Sequence, residues 1–158
     1  MASHGFEHRD VRAMSVPEFR ADVSRSLATL SRYQRRILGY RPPGFTMPYS
    51  AEYFRILEDL GFSYVSSGAG LNRGGVPDAA GPVAIHPGLW HVPISTTRLF
   101  GTGLKFPIGY CVISRLLPQS LYLWSVDRWV RERRFFHYYA HTFEIAGWRL
   151  AGIRRRGR

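Results

Sequence analysis

Residues 57–65, LEDLGFSYV, decide the fold class of this chain because they join the end of a helix directly to a strand. Upstream, Ser50 is a typical helix N-cap residue, and apolar side chains then recur at helical spacing as far as Leu60. Gly61 suits the left-handed position that follows many helices. Residues 62–65, FSYV, have the aromatic and β-branched character of a buried strand. The segment therefore predicts a helix that ends near residue 60, followed at once by a strand.

A second helix is predicted upstream of this segment. Residues 15–18, SVPE, form a capping box with an early proline. Apolar residues then follow at helical spacing, which predicts a helix over residues 16–35. Three charged side chains of this helix are expected to face solvent: Arg20, Asp22 and Arg25.

Short apolar runs alternate with these helices, and this alternation favours a parallel α/β sheet. The run 37–40, ILGY, must end before Pro42, because proline cannot donate a hydrogen bond to a neighbouring strand. Arg41 is therefore expected at the carboxyl end of this strand. The glycine-rich residues 68–82 predict a loop. Further elements are predicted downstream: strands at 83–85 and 89–92, a helix at 119–132, and a last strand at 135–139 that carries His141 and Glu144 at its end.

The composition is that of a globular domain, since 45% of the 158 residues are hydrophobic and 15% are aromatic. The chain contains no apolar run of about 18 residues and no signal-peptide pattern at its start, so we expect no membrane span and a cytoplasmic location. The single cysteine, Cys111, excludes an intramolecular disulfide, and its apolar neighbours indicate a buried side chain rather than a nucleophile.

The net charge of +11 raises the question of nucleic-acid binding. Lys105 is the only lysine, and the arginines are scattered along the chain except for short clusters. Nucleic acid is therefore not the expected partner. We expect one domain over residues 1–150, followed by a solvated basic tail at 151–158.

Six segments, taken in order, resemble the polysaccharide deacetylases of carbohydrate esterase family four, and most closely their exopolysaccharide-associated branch: ASHGFEH (2–8), GYRPPGF (39–45), LEDLGFSYVSS (57–67), VPISTTRLFG (92–101), SRLLP (114–118) and FFHYYAHTFEI (135–145). The resemblance implies a distorted or incomplete (β/α) barrel. It also implies a hydrolase that removes N-acetyl groups, sometimes O-acetyl groups, from an acetylated polysaccharide with a divalent metal, often zinc.

Individual roles follow from the same resemblance. His4 and His8 match the two histidine ligands of the metal, Arg41 matches the arginine that orients the catalytic aspartate, and His141 matches the histidine that protonates the leaving amine. Relatives carry adjacent acidic residues upstream of the histidine pair, which supply the general base and the third ligand, and we expect these to lie before Met1.

The chain also departs from the family pattern. Val65 stands where this branch usually has an acid, Phe143 where it usually has tryptophan, and Ala140 where many relatives have leucine. A non-catalytic relative that binds saccharide or acts in assembly is therefore the alternative function. Exposed sheet edges of an incomplete barrel also favour a homo-oligomer.

The residues alone leave further alternatives open. His4 and His8 could be solvated side chains on a frayed end, and His141 could be a hydrogen-bonded core histidine. Glu7 and Asp10 are candidate substitute ligands for a metal. The other three histidines, His86, His91 and His137, are expected to be structural.

Overall fold

Five short strands form the central sheet of the computed structural model, which describes residues 1–68, 81–98, 105–141 and 144. The spatial order is β1-β2-β3-β5-β4, in which β1, β2, β3 and β5 run parallel and β4 is antiparallel to β5. Their bounds are Ala2–Ser3 (β1), Gly39–Tyr40 (β2), Tyr64–Val65 (β3), Val83–His86 (β4) and Leu89–His91 (β5). A separate antiparallel pair joins β6 (Thr97–Arg98) to β7 (Lys105–Phe106).

Four α-helices accompany the strands in the described ranges: α1 (Val16–Leu30), α2 (Ala51–Asp59), α3 (Cys111–Leu116) and α4 (Gln119–Arg133). Single 3₁₀ turns lie at Val11–Ala13 and Pro43–Phe45. The predicted α/β class with a mostly parallel sheet is confirmed. None of the helices in these ranges combines the length and the hydropathy needed to cross a bilayer. The predicted basic tail and most of the glycine-rich loop lie outside the described residues.

The helix-to-strand segment folds as its sequence predicts. Helix α2 follows Ser50, and Gly61 has a left-handed φ of 84°. The chain then turns directly into β3, because the Phe62 N–H donates to the Leu57 carbonyl at 2.9 Å. The strand itself is shorter than predicted and covers only the last two of the four residues.

Helix α1 has the predicted start but ends five residues early. Ser15 and Glu18 form both hydrogen bonds of the capping box. Residues 31–36, SRYQRR, offer the core no aliphatic side chain, and Tyr33 is 80% exposed. Since most helical stability in proteins comes from packing an apolar face, the helix ends where its apolar stripe ends, at Leu30.

The core lies on one face of the sheet. The register places Ser3, Tyr40, Val65 and His91 side by side, and all four are buried. Apolar side chains of α1 and α2 pack in the same core, which therefore fixes the sheet against these two helices.

The predicted last strand, 135–139, is reduced in the structure to one parallel bridge between Tyr110 and Tyr139. Three backbone segments converge there. The Gly109 N–H donates to the Ser95 carbonyl at 2.8 Å, and the Gly109 carbonyl accepts the Tyr139 N–H at 2.6 Å. A methyl group on Gly109 would lie 2.1 Å from the His137 carbonyl oxygen, so only glycine permits this close approach.

Candidate functional site

The carboxyl ends of adjacent parallel strands place the first site residues at one edge of the sheet. His4 follows β1, Arg41 follows β2, and Ser66 follows β3. The Arg41 N–H donates to the Ser3 carbonyl at 2.8 Å, which extends the ladder one residue beyond the strands. This edge is where ligands bind in open parallel α/β sheets.

One cavity of about 400 Å³ opens at this edge and brings together all four residues singled out in the sequence. His4, His8, Arg41 and His141 line it. The other lining residues have no ionised side chain, and three of them are aromatic: Pro42, Gly44, Phe45, Pro107, Tyr110 and Tyr139. Residues up to 137 positions apart in sequence thus share one pocket whose lining includes imidazoles and a guanidinium but no carboxylate.

His4 is held in place by a hydrogen bond, and His8 lies exposed beside it. The His4 Nδ1–H donates to the Arg41 carbonyl at 2.7 Å, so in the neutral ring Nε2 is the nitrogen that carries the lone pair. Burial lowers the pKa of His4, which favours this neutral form. The ring centroids of His4 and His8 are 4.9 Å apart, edge to face.

A buried carboxylate, Asp22 of α1, holds the turn between these histidines. Its two oxygens accept the backbone N–H groups of Phe6 at 2.9 Å and Glu7 at 2.8 Å. The prediction that Asp22 faces solvent was wrong: the residue is 6% exposed, because the turn folds over it. A signal was present in the sequence, since Asp22 shares the buried helix face of Phe19 and Ser26 by spacing.

The described residues offer two imidazoles, those of His4 and His8, as candidate ligands of a divalent metal. A histidine that donates Nδ1–H to a carbonyl and keeps Nε2 for the metal is a common arrangement in metal sites, and His4 fits it. Glu7 and Asp10 do not complete the set, because Glu7 pairs with Arg25 and Asp10 with Arg12. No group of three His, Cys, Asp or Glu side chains suited to a metal occurs in the part of the chain that the structure describes.

Arg41 lies at the centre of the cavity wall. Its Nη2 donates to Ser66 Oγ at 2.9 Å and to His137 Nε2 at 3.0 Å. The guanidinium carbon lies 5.2 Å from the ring centroid of Phe45 and 4.7 Å from that of Tyr139. Burial lowers the pKa of Arg41. The other terminal nitrogen, Nη1, is buried and has no hydrogen-bond partner, so one donor of the guanidinium is left for an acceptor that the described residues do not provide.

His137 supports this arginine, a role that the sequence did not reveal. The Pro93 carbonyl lies 3.0 Å from His137 Nδ1 and must accept its proton, which leaves Nε2 to accept from Arg41. Burial and the neighbouring Arg41 charge lower the pKa of His137, consistent with a neutral ring. The alternating HxYxH pattern of residues 137–141 places Tyr139 and His141 in the cavity lining and His137 against Arg41, and this was the available signal.

His141 lies between two polar partners. Tyr139 Oη is 2.7 Å from its Nε2, and Glu144 Oε2 is 3.0 Å from its Nδ1. The His141 backbone N–H donates to the same Glu144 oxygen at 2.6 Å, and this bond is the main reason why the pKa of Glu144 is lowered. The contact with Glu144 orients the ring, so His141 is a cavity residue and not part of the helix-covered core.

The departures from the family pattern affect the cavity little where they can be located. Val65 is fully buried on the helix-covered face of the sheet and does not line the cavity. Ala140 is half-buried between the two lining residues Tyr139 and His141 in the sequence. Phe143 lies outside the described residues.

Comparison of the chain with models of known protein families found no match, and comparison with curated proteins found no match either.

Proposed function

We propose that this protein is a metal-dependent hydrolase that removes N-acetyl groups from an exopolysaccharide, built on an incomplete (β/α) barrel of the polysaccharide deacetylase type. One observation carries the proposal. The four residues that the sequence resemblance selects, His4, His8, Arg41 and His141, line a single cavity at the carboxyl edge of the sheet.

Amide hydrolysis requires a water nucleophile, a base that takes its proton and an acid that protonates the leaving nitrogen. His4 and His8 would hold the divalent metal, which when bound lowers the pKa of its water and polarises the acetyl carbonyl. His141, which lines the same cavity, would protonate the leaving nitrogen. Arg41 offers its buried Nη1 to a carboxylate base, which the lining of the cavity does not include.

The aromatic part of the cavity suits a sugar ring. Phe45, Tyr110 and Tyr139 present ring faces and edges to the space beside the histidines. Such rings stack on the apolar face of a pyranose and exclude water from the reacting bond. A cavity of about 400 Å³ is of the size that binds small molecules, so it would take about one sugar residue of a polymer.

Zinc binding and acetate release test the proposal directly. Zinc is titrated calorimetrically into the protein, and acetate released from an N-acetylated oligosaccharide is measured with and without zinc. We expect His8→Ala to abolish zinc binding and His141→Ala to abolish acetate release. The matched control is His86→Gln, because His86 pairs with Glu58 outside the cavity. A protein that binds neither zinc nor the oligosaccharide would overturn the proposal.

A second candidate is a non-catalytic saccharide-binding protein. It is favoured by the absence of a carboxylate among the residues that line the cavity. This candidate predicts that the oligosaccharide binds without zinc, that no acetate is released, and that Tyr110→Ala weakens binding while His8→Ala does not.

A further inference from the structure

The tautomer of the neutral His141 ring follows from its two partners. An ionised carboxylate can only accept, so the Glu144 contact requires the proton of the neutral ring on Nδ1. Nε2 is then the acceptor, and the Tyr139 hydroxyl must donate to it at 2.7 Å. The phenol therefore occupies the direction in which His141 Nε2 would meet a leaving nitrogen.

We infer that Tyr139 is a proton-relay residue, whose hydroxyl carries the proton from His141 Nε2 to the nitrogen that leaves. The inference rests on the proposed deacetylase function. In the reacting state solvent has protonated Nε2, so the imidazolium donates to the Tyr139 oxygen and the hydroxyl proton turns toward the leaving nitrogen. As the carbon–nitrogen bond breaks, the electron pair left on nitrogen takes this hydroxyl proton. The phenol oxygen at the same time takes the proton from Nε2 of the His141 imidazolium. His141 ends neutral, Tyr139 ends as a neutral phenol, and the amine has gained one proton.

The surroundings of Tyr139 suit a relay because they fix the ring and leave the hydroxyl proton as the moving part. The ring stacks on Tyr110 with centroids 5.3 Å apart and meets Phe45 edge-on at 5.1 Å. The Arg41 guanidinium covers it at 4.7 Å, and the backbone is bonded to Gly109. Burial raises the pKa of Tyr139, so the hydroxyl keeps its proton at neutral pH.

The variant Tyr139→Phe tests the relay, since it keeps the ring contacts and removes only the hydroxyl. We expect kcat for acetate release to fall by about 100-fold, the lower end of what a positioned acid contributes, with KM unchanged. The matched control is Tyr138→Phe, which removes a neighbouring hydroxyl that contacts Ser114 and does not line the cavity. Circular dichroism and thermal unfolding of both variants check that the fold is retained. Wild-type kcat in Tyr139→Phe would overturn the relay.

A second readout does not depend on turnover. In ¹⁵N NMR spectra of the neutral imidazole, we expect His141 of the wild type to be protonated at Nδ1, and the Nε2 resonance to move in Tyr139→Phe as its donor is lost. A wild-type ring protonated at Nε2 would contradict the hydrogen bond. If the wild-type protein releases no acetate while the NMR result holds, the proposed function and the relay fail together, but the Tyr139–His141 contact stands.

Discussion

Replacing Asp22 by asparagine would test whether α1 holds the turn that presents the two histidines. Asp22 accepts two backbone N–H groups, one on each carboxylate oxygen. An asparagine side chain keeps one oxygen and points an N–H₂ group at the other backbone donor. One nearly buried N–H group then has no acceptor.

The expected loss of stability follows from this single unsatisfied donor. Leaving a buried donor unpaired costs about 1–3 kcal/mol, so we expect Asp22→Asn to lower the free energy of unfolding by about 2 kcal/mol. For a chain of this length the change corresponds to a fall in Tm of about 4–8 °C. The control is Asp127→Asn on the exposed surface of α4, which breaks an i,i+4 pair with Arg131 and should cost far less, because solvent screens the pair.

The functional consequence is expected at the proposed zinc site. Groups that orient metal ligands typically change metal affinity by about 10–100-fold when they are altered, and Asp22 orients the whole turn between His4 and His8. Urea unfolding gives the stability, and calorimetric titration with zinc gives the affinity. If Asp22→Asn unfolds like the wild type, the hydrogen bonds contribute less than their geometry indicates. If it is destabilised but binds zinc with unchanged affinity, Asp22 does not position the histidines.

Two other perturbations follow from the same structure. Gly109→Ala should destabilise the protein by about 3 kcal/mol, because its methyl group would lie 2.1 Å from the His137 carbonyl oxygen. The control is Gly81→Ala, whose methyl group would meet no atom of the described residues within 4 Å and should change the unfolding free energy by less than about 1 kcal/mol. Equal urea midpoints of the two variants would refute the packing at Gly109. Because the pKa values of His4 and His137 are lowered in the fold, the unfolded chain binds protons first as the pH falls below about 6.5. The free energy of unfolding should therefore decrease from pH 7.5 to 5.5, by at most about 1.4 kcal/mol per pH unit for each histidine. His137→Gln should remove the contribution of His137 to this decrease. A free energy of unfolding that does not change with pH in urea titrations would contradict the prediction.

The parts of the fold that the sequence predicts are those with local causes. The capping box at Ser15 and the left-handed Gly61 act within a few residues, and both helices begin or end as these signals predict. The end of α1 and the reduction of strand 135–139 to a bridge depend on what the rest of the chain packs against them. The burial of Asp22 has the same origin, because its carboxylate oxygens accept the backbone N–H groups of Phe6 and Glu7, which lie 16 and 15 residues upstream.

The candidate site shows the same division. Arg41 could be placed at a strand end because proline follows it, and the parallel sheet brings His4 to the same edge. The contacts that orient Arg41 could not be predicted, because they depend on long-range backbone bonds, those of His137 to Ser95 and of Tyr139 to Gly109.

Arg41 connects the two halves of the site, and this explains why they form one cavity. Its backbone carbonyl accepts from His4, so the strand that carries it also sets the first imidazole. Its guanidinium bonds to Ser66 and His137 and lies over Tyr139, so the same residue fixes the wall on which His141 is held. An arginine suits this place better than a lysine, since only a planar guanidinium can stack on a ring while donating in its own plane to two partners. The side that carries the candidate metal ligands and the side that carries His141 are therefore aligned by one side chain, and the buried Nη1 of that side chain marks the position where a carboxylate would complete the proposed site.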